Sequence, residues 1–227
     1  MRSLDKTSHC GRLVAFLSAG IAATGLTLLS TELAASDDKL SGLPSLVLGG
    51  LTATAQTLQF ETPFNNLINA GSLAITLEKT TLDEVKATFG GNIRSRTVEG
   101  ITVGWLCYEL ATGDLPRRIW FVANDRSDAA TPAQKPVTFI STEEVADEAD
   151  KCDTPTVALA PLLLPVPTLM DGTEALEERF GAAPKQGMVR YTHQQQGEQN
   201  TTVMQMLVYR LKGGHIDGIA FTQITSK

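Results

Sequence analysis

Histidine is the side chain best suited to moving protons near neutral pH, and the chain has three, His9, His193 and His215. His193 lies in the polar run Thr192-His193-Gln194-Gln195-Gln196-Gly197-Glu198, and His215 follows Gly214, so both read as surface turn residues. A hydrolytic or ligand site built on His193 would draw on the scattered residues Tyr191, Glu198 and Asp217. Nucleophilic catalysis needs a serine or cysteine at a strained turn beside a base with an orienting acid. Neither Gly-x-Ser-x-Gly nor a papain-like cysteine context occurs. Glu143, Glu144, Asp147, Glu148, Asp150 and Asp153 place six carboxylates within eleven residues. They lack the Asp-x-Asp-x-Asp-Gly spacing of a calcium loop. They read instead as a short acidic helix started by Ser141 with Glu144 at its third position. As a solvated acidic face the cluster would steer a basic partner. The residues thus assign no catalytic group, no metal site and no cofactor.

Recognition is better represented than catalysis. Trp105, Tyr108, Trp120 and Phe121 are the main aromatic concentration, and Trp and Tyr are enriched where proteins bind one another. Strand alternation places Trp105 and Cys107 on one face, with Leu106 and Tyr108 on the other, and sets Trp120 opposite Phe121. One face is expected to pack on a helix carrying Val85 and Phe89. The other would leave an aromatic contact surface on an open sheet, unless both faces are covered.

The amino terminus reads as an export signal. Arg2, Lys6 and Arg12 precede a charge-free run from Leu13 to Leu29, and small residues around Ala35 and Ser36 suit a signal peptidase. The alternative is an uncleaved anchor, but roughly 17 diluted apolar residues fall short of the ~20 that a spanning helix uses. Residues 1–35 are therefore taken as a signal peptide, which makes the protein periplasmic or secreted, with no stable membrane span after cleavage. The departing charges sum to +1, so the formal net charge of −6 becomes −7 and three cysteines become two. Cys107 and Cys152 are then the only intramolecular pair, closing a loop of roughly 45 residues that would add about 3 to 4 kcal/mol in an oxidising compartment. Two separate buried thiols are the alternative. An acidic chain with 19 basic against 25 acidic residues has no overall basic field for nucleic acid.

The elements that position these residues follow from periodicity. Residues 36–72, broken by Gly42, Pro44, Gly49, Gly50, Pro63 and Gly71, read as a linker with partly apolar segments. Its patch Leu43-Pro44-Ser45-Leu46-Val47-Leu48 is too apolar for a solvated tail, so it docks on the domain or marks a contact surface. Leu82-Asp83-Glu84-Val85-Lys86-Ala87-Thr88-Phe89-Gly90 overlays Thr173-Glu174-Ala175-Leu176-Glu177-Glu178-Arg179-Phe180-Gly181 at an offset of 91 residues. Both read as short helices, capped by Thr81 with Glu84 and by Asp171 with Glu174, and each closing glycine is placed for the left-handed conformation. Strands are expected over 101–110, 117–123 and 136–141, then over 187–195, 201–211 and 215–225, with Lys212-Gly213-Gly214 as a tight hairpin. Pro155, Pro161, Pro165 and Pro167 mark an extended crossover with room for an edge strand. The order predicts an α+β protein of two tandem helix-plus-antiparallel-sheet units, over 73–154 and 171–227, joined by a proline-rich crossover at 155–170. Chance similarity between the two nine-residue stretches is the competing reading.

The pattern Leu82-Asp83-Glu84-Val85-x-x-x-Phe89-Gly90, leading to Trp105-Leu106-Cys107-Tyr108 and then Ile119-Trp120-Phe121-Val122, resembles the SmpA/OmlA (BamE-like) and beta-lactamase-inhibitor-protein-like superfamily. The second half echoes it with Leu176 to Pro184, Val189-Arg190-Tyr191, Met206 to Arg210 and Ile216 to Phe221. The resemblance spans 73–227. It implies an exported binding or assembly protein without chemistry of its own, whose tandem repeats form a concave contact surface. The chain departs from it in lacking a lipobox cysteine and in the insertion at 125–151. The expectation is a non-enzymatic exported module that binds another exported or envelope protein, as an inhibitor, immunity factor or assembly accessory. An envelope hydrolase or small-ligand carrier built near His193 is the alternative.

Overall fold

The computed structural model describes residues 55–98, 100–110, 117–124, 131–144, 152–160, 162–184 and 187–227. Among them the chain forms an α+β fold made mostly of strands. The strands are β1 (Gln56–Gln59), β2 (Leu67–Ala70), β3 (Leu73–Thr76), β4 (Arg94–Val98), β5 (Ile101–Leu110), β6 (Arg117–Ala123), β7 (Phe139–Glu144), β8 (Leu162–Leu163), β9 (Gly187–Gln196), β10 (Thr202–Lys212) and β11 (His215–Ser226), and the helices are α1 (Leu82–Phe89) and α2 (Thr173–Phe180). Eight strands make one mixed sheet in the order β1-β9-β10-β11-β7-β6-β5-β4, and β3-β2-β8 make a small second sheet. The two strand runs read from the sequence therefore share a single sheet, joined where β11 pairs antiparallel with β7. One pairing is parallel, β1 with β9.

Both helices are a little over two turns long, so tertiary burial rather than propensity must hold them. Thr81 and Glu84 form the expected capping box, with the Thr81 amide donating to Glu84 Oε2 at 2.7 Å and the Glu84 amide donating to Thr81 Oγ1 at 3.3 Å. The second cap differs from expectation. Gly172 occupies the cap position of α2 without a side-chain bond, and Asp171 instead accepts from the Thr168 amide at 2.7 Å. A carboxylate one residue too early closes the preceding turn rather than the helix. Gly181 takes the left-handed conformation as expected. Gly90 has φ 74° and ψ −151°, a region open only to glycine, so it turns the chain without being left-handed helical.

The acidic helix expected from Ser141 is not formed: Ser141 to Glu144 belong to β7. The β-branched and aromatic residues just before them extend the strand three residues past the expected end, and Glu143 is buried there with Arg210 as its partner. Residues 145–151 lie outside the described residues, as do the signal peptide and the linker up to residue 54. From residue 55 on, the linker supplies β1 and β2 and places Phe60 and Phe64 in the core. Gln205 fixes this segment by accepting from the Phe64 amide and donating to the Phe64 carbonyl, both at 3.0 Å. The crossover contributes the two-residue strand β8 against β2. Gly213 and Gly214, at φ 60° and 83°, form the hairpin turn between β10 and β11, as mirror-type turns require.

Candidate functional site

Alternation along the strands divides the apolar residues between two clusters. The first gathers Val85 and Phe89 of α1, Leu176 of α2, Ile68 and Ile75 of the small sheet, and Leu106, Tyr108, Phe121, Tyr191 and Tyr209 of the large one. The second contains Trp105, Cys107, Trp120, Val122, Phe139, Met206, Val208 and Ala220, with Val103, Met188 and Cys152 at its margin. Among the described residues, every member apart from Cys152 comes from a strand of the large sheet. Helices and small sheet thus cover one face, and the opposite face is an aromatic and apolar patch made by the sheet itself.

Strand register orders this patch into rows. One row runs Val208, Ala220, Ser141, Trp120 and Cys107 across β10, β11, β7, β6 and β5, and the next runs Met206, Thr222, Phe139, Val122 and Trp105. The row on the other side is charged: Arg210, Gly218, Glu143, Arg118 and Glu109. Arg118 Nε donates to Glu109 at 3.0 Å, and Arg210 Nη1 donates to Glu143 at 2.7 Å. Gly218 stands between Arg210 and Glu143 in this row and has no side chain, which lets the guanidinium cross β11. Arg210 also donates to Asp217 at 2.9 Å. Burial works against its charge, but the hydrogen bonds and charges of Asp217 and Glu143 outweigh that and hold its pKa above the ordinary value. The ladder pairs the buried Arg118 and Glu143 and ends the apolar patch on a polar rail.

Trp105 and Trp120 lie within the patch, 4% and 3% exposed. The Trp105 indole N–H is shut away from solvent without a hydrogen-bond partner among the described residues. Tyr108 and Phe121 are on the helix side and fully buried, with Tyr108 edge-on to both Phe89 and Phe121 at 6.1 Å. They pack in the helix-side core. Cys107 and Cys152 form a disulfide with a Cα–Cα distance of 5.0 Å. Beyond it, Asp153 exchanges backbone hydrogen bonds with β5, its amide to the Cys107 carbonyl at 2.9 Å and the Glu109 amide to its carbonyl at 3.0 Å.

The residues of a His193 site do not converge. His193 Nδ1 lies 2.8 Å from the Phe60 carbonyl. The Tyr191 hydroxyl donates to the Ala182 carbonyl at 2.5 Å, Glu198 sits in the loop between β9 and β10, and Asp217 holds Arg210. Among the described residues no group of three or more His, Cys, Asp or Glu side chains is placed to hold a metal ion, and no helix is long and apolar enough to cross a membrane.

A cavity of about 570 Å³ opens elsewhere on the helix side, between the ends of β5 and β6 and the crossover, lined by Leu110, Ile119, Leu162, Leu164 and Leu169 with Arg117 and Thr142. Arg117 reaches Glu144 only at 3.9 Å, and its Nε is buried without a hydrogen-bond partner among the described residues.

Reasoning from sequence alone missed Phe139, Met206 and Val208 and the charged row. The signal was the two-residue period of Met204, Met206, Val208 and Arg210, which assigns one face as firmly as the tryptophans do. Comparison with family models, curated proteins and solved structures finds no match to this chain.

Proposed function

We propose that the chain is an exported, non-enzymatic protein-binding module that holds another exported or envelope protein against the face of its large sheet that carries Trp105 and Trp120. The observation that carries this reading is the Trp105–Trp120 patch, an aromatic cluster to which, among the described residues, strands of one sheet contribute all but Cys152, bordered by a paired charge ladder. Aromatic centres with a polar rim are the usual composition of protein contacts. The export-type amino terminus and the Cys107–Cys152 disulfide fit an oxidising compartment.

The tandem reading belongs to the same proposal. Phe89, Tyr108 and Phe121 form a ring series with both spacings at 6.1 Å, and Phe180, Tyr191 and Tyr209 form another with spacings of 4.2 and 5.9 Å. In each series the first tyrosine donates to a carbonyl just after the helix, Gly90 at 2.7 Å and Ala182 at 2.5 Å. β5-β6-β7 and β9-β10-β11 run outward from the β7/β11 contact in mirrored order. These parallels support descent from one duplicated unit and the resemblance to the inhibitor-like and assembly proteins.

The test is a photo-activated cross-linker placed in the envelope at Met204, on the patch side of β10, and at Leu163 on β8 as control; both side chains are exposed. A discrete cross-linked protein at Met204 and none at Leu163 is expected. Equal labelling at both positions, or none at Met204, overturns the assignment of this face.

The cavity at Arg117 favours a second reading, a carrier for a small apolar molecule with a hydrogen-bond-accepting head. Its volume is that of ordinary ligand sites. Native mass spectrometry of the exported protein would then show a retained small molecule that Arg117→Leu loses.

A further inference from the structure

We infer that the cavity at Arg117 takes one single-chain amphiphile with an anionic head, the tail lying between the large sheet and the crossover and the carboxylate or phosphate on the Arg117 guanidinium. This class rests on the second reading above, that the cavity carries a small apolar molecule, and narrows it to one chemistry.

Two layers build the site. Its floor is the helix-side end of β5, β6 and β7, where register places Leu110, Arg117 and Glu144 in one row and Ile119 beside Thr142 in the next. The facing wall is the crossover, which brings Leu162, Leu164 and Leu169 and is tied to the small sheet by the pairing of β8 with β2. Leu110, Leu162, Leu164 and Leu169 are only partly buried, and Leu163 is 56% exposed. Five leucines thus keep apolar surface at the cavity that a hydrocarbon tail would remove from water. Volume decides between one tail and two. A dry cavity of ~150 Å³ holds a benzene, so about 570 Å³ accommodates roughly twenty carbon atoms on the same scale. One tail with a small head fits that space, and a lipid with two long tails does not.

Charge selects the head. Arg117 is the only charged side chain lining the cavity among the described residues, and a guanidinium keeps its proton in proteins. Its Nε is buried without an acceptor among those residues. Glu144, at 3.9 Å, stands beyond hydrogen-bond distance. A buried donor left without an acceptor is costly, and an anion relieves it through the paired, charge-assisted hydrogen bonds that a planar guanidinium offers a carboxylate or phosphate. Thr142, 6% exposed, brings a hydroxyl to the same wall. The Thr168 hydroxyl is already engaged, donating to Asp171 at 3.3 Å. Glu144 partly offsets the cation, which keeps the expected preference for an anionic head moderate.

The experiment titrates the full mature chain calorimetrically with decanoate, decyl phosphate and decanol, each kept below the concentration at which it aggregates. The same series is run on Arg117→Met, with circular dichroism as the check on folding. One molecule per chain is expected, the better of the two anions binding about tenfold tighter than decanol and showing by its identity which head the site takes. Arg117→Met should lose that preference and keep its affinity for decanol. Equal affinity of the wild type for all three probes overturns the anionic site while leaving the carrier reading intact, and this comparison needs no variant. An anion preference that survives in folded Arg117→Met overturns the assignment to Arg117. Failure of all three probes to bind the wild type refutes the carrier reading as well.

Discussion

Raising the pH should unfold this protein through its tyrosines. The chain has three, Tyr108, Tyr191 and Tyr209, and each is fully buried on the helix side of the large sheet. Burial pushes the Tyr191 phenol up to about 12, with the Glu177 carboxylate adding to the shift. Burial also raises Tyr108, helped by Asp153, and raises Tyr209, whose hydroxyl has no hydrogen-bond partner among the described residues. Deprotonating Tyr191 would remove the donor held by the Ala182 carbonyl at 2.5 Å and set a phenolate against that oxygen. The unfolded chain ionises its tyrosines near pH ~10, so stability is intact below that pH. It then falls by about 1.4 kcal/mol per pH unit for each tyrosine that stays protonated only when folded. Tyr191 alone accounts for about 3 kcal/mol between pH ~10 and its own pKa, a large share of the ~5–15 kcal/mol of a typical domain, and the raised Tyr108 and Tyr209 act in the same direction. Phenolate absorbance and far-ultraviolet circular dichroism, recorded on the same samples through an alkaline titration, are therefore expected to change together in one cooperative step. A tyrosine ionising near pH ~10 while the sheet signal stays intact would refute the argument.

Other consequences are equally concrete. Arg210→Met removes the 2.7 Å ion pair of the buried Glu143 and should cost about 3 kcal/mol or more in urea denaturation, with Glu143→Met in the same chain recovering most of the loss. Thr81→Ala removes the capping box of α1 and should cost about 1 kcal/mol. The amide and hydroxyl of Thr81 lower the Glu84 pKa, so this cap contributes above the ordinary glutamate pKa and is lost as pH falls through the depressed one. Thr81→Ala should therefore narrow the gap between neutral and acid stability. Replacing Cys107 and Cys152 together with serine should cost about 3 to 4 kcal/mol, read as the difference between oxidised wild type and variant.

How much was legible beforehand depends on the kind of signal each element carries. β5, β6, β9, β10 and β11 declare themselves by apolar alternation between glycines and aspartates, and the division of Trp105 and Trp120 from Tyr108 and Phe121 follows from that period. α1 and α2 are legible from the Val85/Phe89 and Leu176/Phe180 stripes. β1, β2 and β3 are four residues each; β2 and β3 form a short hairpin with each other, whereas β1 gains its order from pairing with β9 across more than a hundred residues. No local pattern encodes that. Glu143 misled for the same reason: six carboxylates look like a solvated helix until Arg210, from the other end of the chain, pairs with one of them across Gly218. The Trp105–Trp120 patch was half visible, because the tryptophans stand out by type, whereas Met206, Val208 and Phe139 join them only through register.

The central claim, that the sheet face carrying Trp105 and Trp120 holds a protein partner, is tested most directly by capture from an envelope extract on immobilised mature protein, comparing wild type with Trp120→Ala of matched circular dichroism. Trp120 is at the middle of the patch, so truncating it should weaken retention of the partner at least tenfold. Equal retention by both proteins would contradict the account.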